Sequence, residues 1–227
     1  MPHSTVEPFE YARPGEPTVR GYLHAPARPA QDAIILTHGA GANCQSPLLV
    51  ALADAFSESG LLVLRCDLPF RQLRPHGPPQ RGSAARDQQG IRQAVEAIRR
   101  QVPSRVFLGG HSYGGRQASM LAASDPALAD ALLLLSYPLH PPKAPDQLRT
   151  AHFPQLRTPA LFVHGTRDPF ATLDELTAAL EQIPARTQLL AIESAAHDLL
   201  TPRNRTALPQ DVASALTAFT APRSPNK

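Results

Sequence analysis

Apolar residues along this chain fall into two alternating kinds of run. Short unbroken runs, Ala33-Ile34-Ile35-Leu36-Thr37, residues 61–66, Val106-Phe107-Leu108, Leu132-Leu133-Leu134-Leu135 and residues 160–165, read as strands covered on both faces. Gln188-Leu189-Leu190-Ala191-Ile192 adds another strand-like run, and residues 6–23 supply one or two irregular strands at the start. Between them, apolar positions recur at helical spacing over residues 48–59, 84–101, 116–124, 173–183 and 209–220. Strands alternating with helices in this way predict an α/β fold, a mainly parallel twisted sheet with helices on both faces. At 227 residues and 42% hydrophobic content the chain suffices for one sizeable core. A single domain is therefore expected over residues 1–220, followed by a polar, disordered tail over 221–227. No internal repeat interrupts the pattern.

Chemistry enters at Gly110-His111-Ser112-Tyr113-Gly114, which spells G-x-S-x-G between the Val106 run and a helix-compatible stretch. A serine on a sharp strand-to-helix turn projects its hydroxyl from the sheet, and small flanking residues keep the turn free of side chains: a nucleophile elbow. Serine is a weak nucleophile at neutral pH and needs a base, itself oriented by an acid. Asp168 follows the 160–165 strand, and His197 follows the 188–192 strand, both at carboxyl ends where open α/β sheets place their chemistry. Ser112, Asp168 and His197 thus occur in the order Ser, Asp, His, which predicts a catalytic triad. Taken singly, Asp168 before Pro169 also reads as a turn carboxylate, and His197 as a surface loop histidine.

Developing negative charge on an attacked carbonyl needs backbone N–H donors. The segment His38-Gly39-Ala40-Gly41-Ala42-Asn43 leaves the first buried strand with small residues that permit close backbone approach. The expected donors are the N–H groups of Ala40 and of Tyr113, the residue after the serine. A phosphate-cradling reading of the same segment lacks both G-x-G-x-x-G and G-K-[ST].

Thr37-His38-Gly39-Ala40-Gly41, Gly109 to Arg116, Ser136-Tyr137-Pro138-Leu139 and Gly165-Thr166-Arg167-Asp168-Pro169-Phe170 together resemble the α/β-hydrolase family over residues 33–220. The likeness is to a small cap-less bacterial branch, dienelactone-hydrolase-like, which is similar to the hydrolase-like domain of a subunit of an animal chromatin-acetylating complex. The resemblance implies the fold and the triad. It implies no substrate, and the cysteine nucleophile of true dienelactone hydrolases is here Ser112. The segment from residue 137 to Pro159 is too short for a helical cap, so an open site is expected.

Composition narrows the remaining choices. Two cysteines, Cys44 and Cys66, are too few for a disulfide framework, and a cytoplasmic location is expected. The first residues lack the basic-then-apolar pattern of a signal peptide, and no run approaches 18 apolar residues, so no membrane partner is expected. The net charge of +3 is carried almost wholly by arginine. Arg71, Arg74, Arg81 and Arg86, with His76, lie between Leu68 and Arg86 without one acid in the loop 69–81. This loop leaves the carboxyl end of the 61–66 strand, so Arg71 and Arg74, with Phe70 beside them, are candidate substrate-binding residues that would favour an anionic acyl group. No aromatic residues interleave with the arginines, which argues against nucleic acid. The expectation is a serine hydrolase cleaving a carboxylic ester or related acyl bond of a small molecule, with no metal or organic cofactor. The alternatives are a thioesterase or peptidase with the same triad, or a non-catalytic interaction module. The sequence is silent on oligomeric state.

Overall fold

The fold follows from a computed structural model that describes residues 4–222. Eight strands form one sheet: β1 (Thr5–Tyr11), β2 (Val19–Ala25), β3 (Ala33–Thr37), β4 (Leu62–Asp67), β5 (Val106–His111), β6 (Ala131–Leu135), β7 (Ala160–Gly165) and β8 (Thr187–Ile192). Their order is β1-β2-β4-β3-β5-β6-β7-β8. The two irregular strands expected at the start form an antiparallel pair, and β2 runs antiparallel to β4. All other neighbours are parallel. This is the α/β architecture anticipated from the alternating pattern.

Helices cover both faces. On one side α3 (Ala84–Arg99), α4 (Tyr113–Ser124) and α5 (Leu173–Leu180) contribute Ile91, Leu121 and Leu176 to a core with Ile35, Leu108 and Leu134. On the other, α1 (Pro47–Glu58) and α6 (Ala207–Thr220) contribute Leu52 and Leu216 to a core with Ile34, Phe107 and Leu133. Consecutive residues of β6 therefore pack into opposite cores, and all five of its residues are buried. That is the physical reason for the unbroken apolar runs: a strand covered on both faces has no solvent side for a polar residue.

The strand order reverses between β3 and β5. The chain proceeds from β3 outward to β4, then returns to the other side of β3 for β5 and continues outward through β8. Connections leaving β3 and β5 diverge there, opening a crevice at the carboxyl ends of the strands, where α/β sheets bind ligands. Residues 38–42 and Ser112 stand on its two sides.

Two features depart from the expectation. Tyr113 already begins α4, three residues earlier than the expected helix at 116, and residues 69–73 of the supposed loop form the short helix α2 (Pro69–Leu73). Pro69 at its first position presets the helical φ. The fold has no cap: the segment between β6 and β7 holds only one short 3₁₀ turn, Phe153–Gln155. Of the expected polar tail, residues 223–227 lie outside the described residues.

Candidate active site

Ser112 sits where β5 passes into α4 with φ 50° and ψ −112°, a left-handed conformation that costs an L-residue about 1–3 kcal/mol. Two hydrogen bonds hold it there. Its N–H donates to Leu135 O at 2.8 Å, and its carbonyl accepts from Arg116 N at 2.9 Å. The neighbouring glycines are required by space. A Cβ on Gly110 or on Gly114 would stand 2.5 Å from Thr37 Oγ1, besides meeting backbone atoms at comparable or closer range. The turn is thus wedged against the end of β3, which fixes the direction of the Ser112 side chain.

Three side chains from three strand ends meet at this turn. His197 Nε2 lies 2.8 Å from Ser112 Oγ, and His197 Nδ1 lies 2.8 Å and 3.1 Å from the two Asp168 carboxylate oxygens. An imidazole that donates Nδ1–H to a carboxylate presents Nε2 as an acceptor, here toward the serine hydroxyl. The Asp168 side chain is fully buried, whereas that of His197 is 21% exposed. Burial alone would push the Asp168 carboxyl up. The hydrogen bond and charge of His197, the Phe170 N–H and His164 together bring it below the usual carboxylate range.

The imidazole is also held from outside the carboxylate. The Phe170 ring lies on it with centroids 4.2 Å apart. On the other flank His111 Nε2 donates to the His197 carbonyl at 2.8 Å. Behind Asp168, the fully buried His164 stands 3.8 Å from its carboxylate. None of these three supports was singled out from sequence. Phe170, two residues after Asp168, and His111, next to Ser112, lay within the segments that carry the family resemblance, and that was the available signal.

Residues 39–42 form a tight turn, with Ala42 N donating to Gly39 O at 3.1 Å. Ala40 occupies its second position, whose N–H is not used by the turn. Two buried side chains set the direction of that N–H. His38 Nδ1 lies 2.8 Å from Gly39 O while its Nε2 accepts the Leu68 N–H at 3.1 Å, so Nδ1 is the protonated nitrogen. Because the Gly39–Ala40 peptide is planar and trans, fixing its carbonyl fixes its N–H on the opposite side. Burial is the main force holding the His38 ring neutral.

Arg71 grips the next carbonyl. Its guanidinium donates to Ala40 O at 2.8 Å, Ala42 O at 2.7 Å, Arg74 O at 3.0 Å and Gly77 O at 3.0 Å. Arg71 is only 5% exposed. This corrects the expected exposed basic rim. The donors of Arg71 are committed to backbone carbonyls, so it braces the turn and is not free for an anionic substrate. Phe70 is likewise buried, its ring centroid 5.5 Å from that of Tyr113 and 5.6 Å from that of His38. Arg74 is exposed.

Asp87 ties Tyr113 to the same assembly. Its carboxylate accepts the Phe70 N–H at 2.9 Å, capping the start of α2, and the Tyr113 hydroxyl at 2.7 Å. Tyr113 is the first residue of α4, so its own N–H has no intrahelical acceptor. Asp87 lies fully buried on α3, and burial raises its carboxyl despite both hydrogen bonds. Nothing in its sequence neighbourhood marks it, because both partners come from other elements.

Cys44 lies close to this region but is buried, with its N–H donating to Asp67 Oδ1 at 2.7 Å. Burial first, then Asp67, pushes its thiol up to about 12, which removes thiolate reactivity at neutral pH. Cys66 is buried within β4 and shifted in the same direction.

A crevice at the strand reversal and a serine on a strained turn, hydrogen-bonded in line with His197 and Asp168, define a class of α/β sheets with chemistry at the strand ends. Comparison with known families gives the class its name: the alpha/beta hydrolase domain matches residues 30–221, and the chain belongs to that family. A dienelactone hydrolase from Anabaena variabilis is 25% identical, with a TM-score of 0.71, covering 93% of this chain and 98% of that one. Est1E from Butyrivibrio proteoclasticus is 17% identical at a TM-score of 0.74, over 93% of this chain and 98% of its own. A serine hydrolase from Xanthomonas campestris described as having no lid is 16% identical at a TM-score of 0.68, over 98% and 97%. Among the described residues no helix is long and apolar enough to cross a membrane.

Proposed function

We propose that this protein is a serine hydrolase that cleaves a carboxylic ester or a related acyl bond of a small molecule. The observation that carries the reading is the continuous hydrogen-bonded line from Ser112 Oγ through the His197 ring to Asp168, 2.8 Å at each link. In the reaction Ser112 Oγ forms a bond to the substrate carbonyl carbon while its proton passes to His197 Nε2. The oxyanion is held by the N–H groups of Ala40 and Tyr113. Collapse breaks the bond to the leaving group, which departs with the proton from His197. Water then attacks the acyl-serine, giving its proton to the same nitrogen, and the acid is released with Ser112 restored. Asp168 keeps the imidazole in the required tautomer throughout.

The open, cap-less face suits acyl groups of varied length and excludes little water. An ester, a thioester and an amide differ only in leaving group, so thioesterase and peptidase activity belong to the same reading. The buried, unpaired thiols accord with a reducing cytoplasm, and residues 1–220 are read as one domain. The rival is a non-catalytic interaction module that keeps the fold, and the Ser112–His197 hydrogen bond speaks against it. A fluorophosphonate probe decides. The hydrolase labels covalently at Ser112 and Ser112→Ala does not. Absence of labelling in the wild type, or undiminished ester hydrolysis by purified Ser112→Ala, overturns the proposal. Hydrolysis across esters and thioesters of graded acyl length then identifies the substrate.

A further inference from the structure

On the β6 side of Ser112, away from Ala40, the balance of charge is one-sided. Arg116 lies one turn along α4 from Ser112, and its Nε is buried without a hydrogen-bond partner. Arg149, on the segment after β6, donates from Nη1 to Pro138 O at 3.3 Å and from its backbone N–H to Leu139 O at 2.8 Å. Among the described residues no carboxylate lies within ion-pair distance of either guanidinium.

The groups around this pair are neutral donors or bases. The Tyr137 hydroxyl donates to Arg149 O at 2.7 Å. Ser119 Oγ donates to Arg116 O at 2.9 Å, so the contact of 2.8 Å between Ser119 Oγ and His152 Nε2 is a donation from the ring. Burial and then the charge of Arg116 lower His152 to about 4, leaving it neutral. Arg149 feels the same burial and the same neighbouring charge. Partly dehydrating two like charges without a counterion is unfavourable, and a bound anion reverses the sign of that interaction. Guanidinium groups match a carboxylate with paired, parallel N–H donors.

We infer that Arg116 and Arg149 form a subsite for a carboxylate at the far end of the acyl group, making half-esters of short dicarboxylic acids the preferred substrate class. Arg116 N donates to Ser112 O at 2.9 Å, so the two residues stand one turn apart, and the five-carbon diacid glutarate is the probe chosen for a short acyl chain. The inference rests on the hydrolase reading for its catalytic consequence, whereas the binding itself does not require it.

Glutarate binding to the full-length Ser112→Ala protein, measured by titration calorimetry at low salt, tests the subsite without turnover. Saturable binding is expected, weakened at least tenfold by Arg116→Gln and by Arg149→Gln, each shown folded by its thermal melt. No saturable binding, or affinity unchanged in both variants, overturns the inference. Inorganic phosphate is the second ligand: equal or tighter binding of phosphate overturns the dicarboxylate assignment. In the active enzyme, the kcat/KM ratio for monoethyl glutarate over a neutral ethyl ester of equal length should fall at least tenfold in Arg116→Gln. A ratio unchanged in both variants also overturns it. Glutarate binding with no fluorophosphonate labelling would sink the hydrolase reading and leave the anion subsite standing, so the two failures are distinguishable.

Discussion

Arg71 Nη2 donates to the carbonyl of Ala40 at 2.8 Å, inside the turn of residues 39–42. Four backbone carbonyls share that one guanidinium, and the side chain is almost wholly buried. Arg71→Met keeps much of the volume and leaves those carbonyls without their donor. A stability loss of about 2–4 kcal/mol is expected in urea denaturation, because buried groups left unpaired are costly. Displacement of the Ala40 N–H should also cut kcat at least tenfold with a smaller change in KM, since an oxyanion donor acts on the transition state. Loss of stability with kcat intact would mean that the turn holds its geometry unaided.

Asp87 offers a second handle on the two proposed donors, Ala40 and Tyr113. Its carboxylate joins Phe70 N, at the start of the helix that carries Arg71, to the hydroxyl of Tyr113. Asp87→Ala strands a buried N–H and the hydroxyl of the half-buried Tyr113, and about 2–4 kcal/mol of stability should be lost. Fluorophosphonate labelling should slow as well. Because Asp87 and Arg71 brace one assembly, their combined loss should be less than additive, and a double-mutant cycle reads the coupling. Additive effects would show that the two residues act on separate structures.

The fold was legible because burial on two faces erases polar positions from β3, β5, β6 and β7, and each run stood out against the helical spacing around it. The places of Ser112 and Asp168 were legible because each follows such a run at its carboxyl end, and that of His197 because it follows the half-exposed edge strand β8. What supports them was not. α2 starts with Pro69 and ends after five residues, too short for any period, and its capping carboxylate lies 17 positions away on α3. The early start of α4 was hidden by Gly114 and Gly115, poor helix formers demanded there by the closeness of Thr37 and of the Gly110 carbonyl. Arg71 looked like a surface charge because a run of exposed basic residues surrounds it. Only the folded chain brings the carbonyls of Ala40 and Ala42, from the 39–42 turn, and of Arg74 and Gly77, from its own loop, to its guanidinium.

Asp168→Asn isolates the tautomer argument. An amide at this position offers one acceptor and one N–H₂ group where the carboxylate offers two acceptors to His197 Nδ1. Turning the N–H₂ toward the ring forces the proton onto Nε2, the nitrogen that must accept from Ser112. A fall in kcat of about 10⁴ is expected, by analogy with the protease triad, with the melting temperature shifted only modestly. Activity within tenfold of wild type would show that another group orients the imidazole.

Acid should destabilise the fold through its buried histidines. Burial is the first cause holding His24, His38, His111, His152 and His164 below the ordinary imidazole value, and for His152 the value is about 4. In the unfolded chain these rings protonate near pH 6.5. Between about 6.5 and 4 the unfolded state therefore binds more protons than the native state, so stability falls as pH falls through that window. The urea midpoint should drop steadily from pH 7 to pH 5, while tryptophan-free tyrosine fluorescence or circular dichroism follows the transition. His152→Gln removes one contributor, because glutamine does not titrate and its amide can still donate to Ser119 Oγ. The variant's midpoint should decline less over the same interval than that of the wild type. Parallel pH profiles for the two proteins would show that His152 titrates alike in the native and unfolded chains, which would leave the loss to the other four rings.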